Sequence, residues 1–311
     1  MVRNSESDTL AEVLAGLRSS PKRLPSRLLY DVRGAALFEQ ICAVDDYYLA
    51  RAETTLLRDH RSMIADAIGP DARIIEPGSG AGQKTRLLLD ALVRPSSYVP
   101  IDISAEQLVR TAAALRREFP ALEVDPVCDD FTTAIVPPPR RPTGRTAIFF
   151  PGSTIGNFEP VDAVRLLARF AAIAGDGGML LLGADSNTDA DSLIRAYDDA
   201  EGVTAAFDLN VLAHLNRSLD ARFDLAAFRH RAVWNRMTSR IEMWLVSRRR
   251  QTIAIADHAI AFERNEILVT EHCYKYPAPV LEVLLTQARW SVRQVITDPD
   301  GRMRLWLATR P

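Results

Sequence analysis

Three residues with chemically active side chains, Glu271, His272 and Cys273, stand side by side in the segment EILVTEHCYKY. The apolar or β-branched residues 267–270 precede them, which predicts a β-strand whose side chains alternate between two faces. Glu271 and Cys273 should then share one face, with His272 on the other. One strand cannot turn three adjacent side chains toward one ion, and no other Cys or His lies at zinc-site spacing, so we predict no metal site. The alternative to a functional role for Glu271 is a solvated side chain on an edge strand.

A glycine-rich segment, EPGSGAGQKT at positions 76–85, follows the predicted strand ARII and opens a predicted helix. Glycine lets the backbone approach a ligand closely, and the N–H groups at a helix start point toward that ligand. A phosphate-binding P-loop needs adjacent Gly and Lys, but Gln83 separates Gly82 from Lys84. A dinucleotide-binding loop stays open, because Asp102 ends the next predicted strand where a ribose-binding acid is expected.

Acidic residues at three places favour adenosine with a sulfonium tail as the ligand of this loop. Glu76 precedes the loop, Asp102 follows the second predicted strand, and Asp130 with Phe131 follows the third. Asp102 would bind the ribose hydroxyls, Asp130 the adenine amino group, and Phe131 the ring. This combination resembles the class I methyltransferases that use S-adenosylmethionine (SAM), whose sheet ends in an antiparallel pair, as the two C-terminal predicted strands suggest.

The surrounding elements predict two domains. After a helical N-terminal segment, short apolar runs alternate with amphipathic helices, which indicates a parallel sheet covered on both faces. Hairpin-connected strands follow, and a helix and two strands then complete the sheet. We therefore predict an α/β, doubly wound, Rossmann-like SAM methyltransferase domain at 55–195 plus 277–311. A smaller α+β substrate-binding domain would comprise 1–54 plus 196–276.

The composition narrows the class of protein. The 311 residues are 47% hydrophobic and 25% charged, as in a soluble globular protein, and the formal net charge of −2 disfavours nucleic acid as a partner. The N-terminus lacks an apolar leader, so we expect a cytoplasmic protein without a membrane partner, acting as a monomer. Cys42, Cys128 and Cys273 are odd in number and far apart, which predicts reduced thiols. The Pro-rich segment 135–144 is predicted to be a linker.

Four segments in order, FFPGSTIGNFEP, RAYDDAEGVTAAFDLN, RIEMWL and TEHCYKY, resemble the histidine Nα-methyltransferases of ergothioneine biosynthesis. That family converts histidine to its trimethylated betaine, hercynine. The resemblance runs from about Pro21 to the C-terminal strands. It implies a bilobed enzyme that uses SAM and no metal, with a small-molecule amino-acid substrate covered by the second lobe.

The resemblance also implies roles for individual residues. Cofactor contacts would be Tyr30, Gly78, Ser79, Gly80, Lys84, Asp102, Asp130 and Phe131. Substrate contacts would be Tyr47, Gly152, Asn157, Tyr197, Met243, Glu271, His272 and Cys273. Tyr47 would be the catalytic phenol near the reacting amine, and Asn157 and Tyr197 would hold the substrate carboxylate. Glu271 would accept a hydrogen bond from the imidazole N–H, and Met243 would line the side-chain pocket.

The chain departs from the family pattern at Cys273, where the family has a serine facing the imidazole. A thiol is a weaker hydrogen-bond partner and is bulkier. Losing one neutral hydrogen bond costs on the order of 1 kcal/mol, or roughly fivefold in binding. We predict Nα-trimethylation of L-histidine, with methylation of another amino acid as the alternative. A nicotinamide-dependent dehydrogenase and a catalytically silent ligand sensor are two further hypotheses.

Overall fold

The computed structural model describes residues 6–132, 136–139 and 144–311. Half of the predicted linker at 135–144, residues 135 and 140–143, falls outside these residues. In the described part of the chain, no helix is long and apolar enough to cross a membrane.

The chain divides into two compact units, each built from two separate stretches of sequence. The first unit comprises Met1–Tyr48 and Thr188–Tyr274, and the second comprises Leu49–Asn187 and Lys275–Pro311. The assignment of cofactor binding to one unit and substrate binding to the other stays a prediction.

Helices and strands alternate through the middle of the chain, and strands dominate from residue 228 to residue 274. The described α-helices are α1 Glu6–Leu17, α2 Val32–Ile41, α3 Tyr48–Asp59, α4 Arg61–Ile68, α5 Gln83–Ala91, α6 Ala105–Glu118, α7 Pro160–Ala174, α8 Ala190–Tyr197, α9 Val203–Ser218 and α10 Ala278–Gln287. The described strands are β1 Lys22–Arg23, β2 Arg73–Pro77, β3 Ser97–Asp102, β4 Glu123–Val124, β5 Val127–Cys128, β6 Thr146–Phe150, β7 Met179–Asp185, β8 Phe228–Asn235, β9 Arg240–Ser247, β10 Gln251–Ile255, β11 His258–Phe262, β12 Ile267–Tyr274, β13 Ser291–Thr297 and β14 Met303–Thr309.

The second unit contains an eight-stranded sheet with the order β13-β14-β7-β6-β2-β3-β4, in which β5 also pairs with β3. The strands from β2 to β7 pair in parallel, whereas β14 runs antiparallel to both β7 and β13. Every residue of β6 and β7 is buried, as expected for parallel strands with helices on both faces. The predicted Rossmann-like α/β fold, including its C-terminal antiparallel pair, is confirmed.

One predicted strand of this sheet is interrupted. The segment LEVDPVC forms two short strands, β4 and β5, rather than one continuous strand. β4 pairs with the start of β3, and β5 pairs with its end. Pro126 lies between them, and proline has no N–H group to donate to a sheet. An irregular loop follows β5 directly.

The first unit contains a four-stranded sheet with the order β1-β12-β9-β8 and a separate hairpin of β10 and β11. The strand β12 pairs with β1 at Leu268 and Val269 and with β9 along most of its length, and Glu271 is buried, so the alternative of a solvated Glu271 is wrong. A register shift between Val269 and Glu271 interrupts the pairing of β12 with β9. After this bulge, Glu271 pairs with Met243 and Cys273 with Ile241.

Candidate active site

The glycine-rich loop lies in the second unit, between β2 and α5, at the carboxyl edge of the parallel strands. Gly78, Gly80 and Gly82 have φ angles of 71°, 50° and 70°, a region that L-residues with side chains rarely adopt. A Cβ at Gly78 would stand 3.2 Å from the ring of Phe131, whereas one at Gly80 would meet nothing within 4 Å. The loop is thus closed on one side by an aromatic ring and open at Gly80.

Asp102 ties this loop to the end of the neighbouring strand β3. Its Oδ2 accepts a hydrogen bond from the Gly80 N–H at 3.0 Å, and its Oδ1 accepts one from the Ser104 N–H at 2.9 Å. The Ser79 N–H donates to the carbonyl of Ile101 at 3.2 Å. A carboxylate offers about four acceptor positions, so Asp102 retains capacity for ligand hydroxyls beyond these two bonds.

Asp130 and Phe131 lie in the loop that follows β5. The Asp130 Oδ1 accepts a hydrogen bond from the Thr132 N–H at 2.8 Å, which fixes this turn. The Phe131 ring stands edge-on to Phe150 with a centroid distance of 5.7 Å. Because β5 pairs in parallel with the end of β3, the loop of Asp130 and Phe131 begins at the same sheet edge as Asp102.

Glu76 directly precedes the glycine-rich loop in the sequence, and its buried carboxylate has a structural role. Its Oε2 accepts hydrogen bonds from Thr85 Oγ1 and from the Tyr98 hydroxyl, each at 2.6 Å. Burial raises the pKa of Glu76 from 4.5 to about 7, although both hydrogen bonds act in the opposite direction. Glu76 therefore joins α5 to β3 within the second unit.

Two predicted substrate residues also lie in the second unit, in the segment that follows β6. Gly152 has a φ of 84°, and Asn157 ends a short 3-10 helix, Thr154–Asn157. Ser153, with a φ of 56°, accepts a hydrogen bond at its Oγ from the Asp185 N–H at 2.9 Å. This hydrogen bond fixes the strained turn against β7 and so fixes the backbone conformation of the segment.

The first unit brings together three of the predicted substrate residues. The Tyr197 hydroxyl and the Cys273 sulfur are 2.9 Å apart and hydrogen-bonded. The Tyr47 ring stands edge-on to the Tyr197 ring, with centroids 5.9 Å apart. All three side chains are buried. The Cys273 thiol is thus in direct contact with the Tyr197 phenol, which is predicted to bind the substrate carboxylate.

Glu271 and Met243 are cross-strand partners, and both are buried, with 6% and 1% of their surfaces exposed. His272, paired with Glu242, is half-buried. Thr270 and Tyr274, predicted to share the face of His272, are buried as well, so burial at this end of β12 does not follow the predicted alternation of faces.

Tyr30, the remaining predicted cofactor residue, lies in an aromatic cluster of the first unit. Its ring stands edge-on to Phe38 and to Phe207, with centroid distances of 5.6 Å and 5.4 Å. Phe38 in turn contacts Tyr47 at 6.3 Å. The cluster continues to the Tyr47 and Tyr197 pair. The role of Tyr30 toward a cofactor stays a prediction.

The chain matches the family model described as "Histidine-specific methyltransferase, SAM-dependent" over residues 9–310. The chain belongs to this family. It is 41% identical to the histidine N-alpha-methyltransferase of Mycolicibacterium smegmatis, over 98% of this chain and 97% of that protein. It is 40% identical to the protein of the same name from Mycobacterium tuberculosis, over 96% and 94% of the two chains. The N-methyltransferase imqF of Aspergillus flavus is 29% identical, over 96% and 84%.

Membership of the histidine-specific methyltransferase family confirms the recognised resemblance and makes the chain a SAM-dependent methyltransferase by class. The dehydrogenase hypothesis is therefore wrong. Among the residues that the structure describes, no group of three His, Cys, Asp or Glu side chains is placed to hold a metal ion.

Sequence inspection missed Glu53 of α3, a member of the second unit with a fully buried carboxylate. Its two oxygens accept hydrogen bonds from the Gly152 N–H at 3.0 Å and 2.8 Å, and it forms an ion pair with Lys84. One signal could have revealed it: Glu53 is four residues after Leu49 and three before Leu56, and so occupies the apolar face of a helix. An acid on such a face needs a partner.

Sequence inspection also missed His230 of β8, which positions the end of α8 in the first unit. Its Nδ1 is 2.6 Å from Asp208 Oδ2, and its Nε2 is 2.8 Å from the Tyr197 carbonyl oxygen. With Asp208 ionised, its carboxylate and the Tyr197 carbonyl only accept hydrogen bonds, so both ring nitrogens donate, which is the pattern of a protonated imidazole. Burial lowers the pKa of His230, but the hydrogen bond to Asp208 outweighs this effect and leaves that pKa raised.

Proposed function

We propose that this protein transfers methyl groups from SAM to the α-amino group of L-histidine. Three successive transfers would produce hercynine, a step of ergothioneine biosynthesis. The observation that carries the proposal is the buried Glu271, opposite Met243 on the neighbouring strand, in a chain of the histidine-specific family. A buried carboxylate binds an imidazole N–H through a charge-assisted hydrogen bond, which is stronger than a neutral one.

The glycine-rich loop supports SAM as the cofactor. Open space at Gly80, the Phe131 ring against Gly78, and the spare acceptor capacity of Asp102 match a ligand with an adenine ring and ribose hydroxyls. Asp130 would bind the adenine amino group, and Ser79 and Lys84 would complete the contacts. When bound, SAM supplies an electrophilic methyl group on sulfur for in-line displacement.

Catalysis by the chain's own residues is then mainly a matter of orientation. The attacking amine must be neutral, and it loses its own N–H bonds as methyl groups are added. It must therefore be held through its neighbours. Asn157 and Tyr197 would bind the substrate carboxylate, Glu271 the imidazole, and the phenol of Tyr47 would orient the lone pair and relay a proton to water. No metal is required for this chemistry.

Specificity for histidine would follow from the burial of Glu271. A side chain without an N–H donor would leave the buried carboxylate without that hydrogen bond, and a site built around a hydrogen bond rejects analogues that lack it. We place the protein in the cytoplasm and expect it to act as a monomer.

Methylation of a different amino acid is the second candidate, and Cys273 is the observation that favours it. The Cys273 thiol is hydrogen-bonded to the Tyr197 hydroxyl, so a weaker hydrogen-bond partner than the serine expected from the resemblance stands beside a predicted substrate-binding phenol.

The test is incubation of the purified protein with SAM and a mixture of the common amino acids, followed by mass spectrometry. Histidine that gains up to three methyl groups, with the other amino acids unchanged, is the expected product. Methylation of another amino acid would favour the second candidate. No methylated product, with SAM bound, would indicate a ligand sensor and refute the proposal.

A further inference from the structure

The carboxylate of Glu53 joins three elements of the second unit at the carboxyl edge of its sheet. It lies on α3, accepts the N–H of Gly152 after β6, and pairs with Lys84 in the first turn of α5. None of its surface is exposed, whereas the Lys84 side chain is 20% exposed. The pair therefore has a buried end at Glu53 and an accessible end at the ammonium group.

A fourth element, β7, contributes Gly183, which lies against the carboxylate. A Cβ at Gly183 would come within 1.6 Å of Glu53 Oε1 and within 2.8 Å of its Cδ. Real Cβ atoms essentially never approach other atoms so closely, so any larger residue at position 183 would displace the carboxylate. Glycine in the middle of a fully buried strand otherwise weakens the strand. The space at Gly183 thus accommodates the Glu53 side chain.

Stability alone gives no reason for this arrangement. Burying an ion pair has a desolvation cost that its mutual attraction often fails to exceed, and apolar replacements are frequently neutral or stabilising. A fixed, buried carboxylate does, however, hold the groups bonded to it in defined positions. Here the partners are a predicted cofactor residue, Lys84, and a predicted substrate residue, Gly152.

We infer that Glu53 is a positioning residue, which holds the Lys84 ammonium and the Gly152 backbone in the geometry that the bound ligands require. An ammonium group has three donors; one is directed to Glu53, and the others remain available for a carboxylate-bearing ligand at the exposed end. The inference rests on the proposed function, because the carboxylate it assigns to Lys84 is that of the methionine part of SAM.

The direct test is Glu53→Gln, studied by calorimetric titration with S-adenosylhomocysteine. The amide oxygen can still accept the Gly152 N–H, but the charge that fixes Lys84 is gone. Ordering a lysine side chain on binding costs about as much as a tenfold change in affinity, so we expect the dissociation constant to rise about tenfold. Glu106→Gln is the control, because the exposed ion pair of Glu106 with Arg110 on α6 has no buried partner; we expect no change.

Two further variants separate positioning from charge and from misfolding. Gly183→Ala keeps the charge of Glu53 but displaces its carboxylate, so it should weaken binding in the same direction. The double variant Glu53→Gln with Lys84→Gln replaces the ion pair by a neutral pair that can still form a hydrogen bond. If Glu53 acts through Lys84, this double variant should bind S-adenosylhomocysteine as weakly as Lys84→Gln alone and no more weakly.

A ligand-free measurement completes the test. The rate at which an amine-acylating reagent modifies Lys84, followed by mass spectrometry, should increase in Glu53→Gln and in Gly183→Ala but not in Glu106→Gln. Unchanged labelling and unchanged affinity in Glu53→Gln would overturn the inference. Tighter binding would overturn it as well, because Glu53 would then compete with the ligand for Lys84. If the unmodified protein fails to bind S-adenosylhomocysteine, the proposed function fails, while the labelling rates still test the positioning of Lys84.

Discussion

The buried acid Glu76 makes the stability of this protein depend on pH in a defined direction. Its carboxylate accepts hydrogen bonds from Thr85 and Tyr98 through one oxygen, Oε2. In Glu76→Gln, the single amide oxygen can accept both of these hydrogen bonds, so the substitution removes the titration and preserves the contacts. The pH dependence of the difference between the two proteins then reports on Glu76 itself.

The magnitude follows from the pKa of about 7 in the folded state, against 4.5 for an unperturbed glutamate. Below pH 4.5 the group is protonated in both states and has no effect. Between the two pKa values the unfolded chain releases the proton first, so the folded state loses stability as the pH rises. At about 1.4 kcal/mol per pH unit, the wild-type protein should lose about 2.5 kcal/mol between pH 5 and pH 8, relative to Glu76→Gln.

The assay is urea-induced unfolding of both proteins at several pH values from 5 to 8. Glu118→Gln is the control, because a hydrogen bond from Arg86 lowers the pKa of Glu118. The stability contributed by Glu118 is therefore lost only as the pH falls below 4.5, and its difference curve should be flat from pH 5 to pH 8. A flat difference curve for Glu76→Gln as well would refute the reasoning, because it would mean that burial does not raise the pKa of Glu76.

The other predictions concern the two ligands. Glu271→Ala should raise the histidine KM far more than it weakens cofactor binding, and Asp102→Ala should do the reverse; equal losses of both in either variant would contradict the assigned roles. Cys273→Ser should lower the histidine KM by roughly fivefold, the value of one neutral hydrogen bond, and a raised KM would show that the site is built for the thiol. His230→Gln removes the charge that holds the end of α8. The stability difference between this variant and the wild type, measured by urea unfolding, should therefore shrink as the pH rises through the raised pKa of His230. A difference independent of pH would contradict the ion pair.

Much of the second unit could be predicted because its signals are local. Apolar runs of strand length alternate with amphipathic helices, and glycine after β2 marks the tight loop, so the parallel sheet and the loop were recognisable residue by residue. The interruption at Pro126 also has a local cause, the missing N–H of proline, and could have been predicted. The alternation that places Glu271 and Cys273 on one face of β12 follows from strand geometry alone.

The sequence by itself determined the family, the alternation of strands and helices in the second unit and the candidate residues of the glycine-rich loop, because these depend on motifs and on periodicities of a few residues. Only the tertiary structure decided which charged groups are buried and which partners they have. Glu53 meets Lys84 thirty-one residues away and Gly152 ninety-nine residues away, and His230 meets Asp208 from another element. Local sequence patterns cannot predict such contacts. An isolated acid or histidine is expected at the surface, because it can be buried only when folding supplies its hydrogen-bond partners.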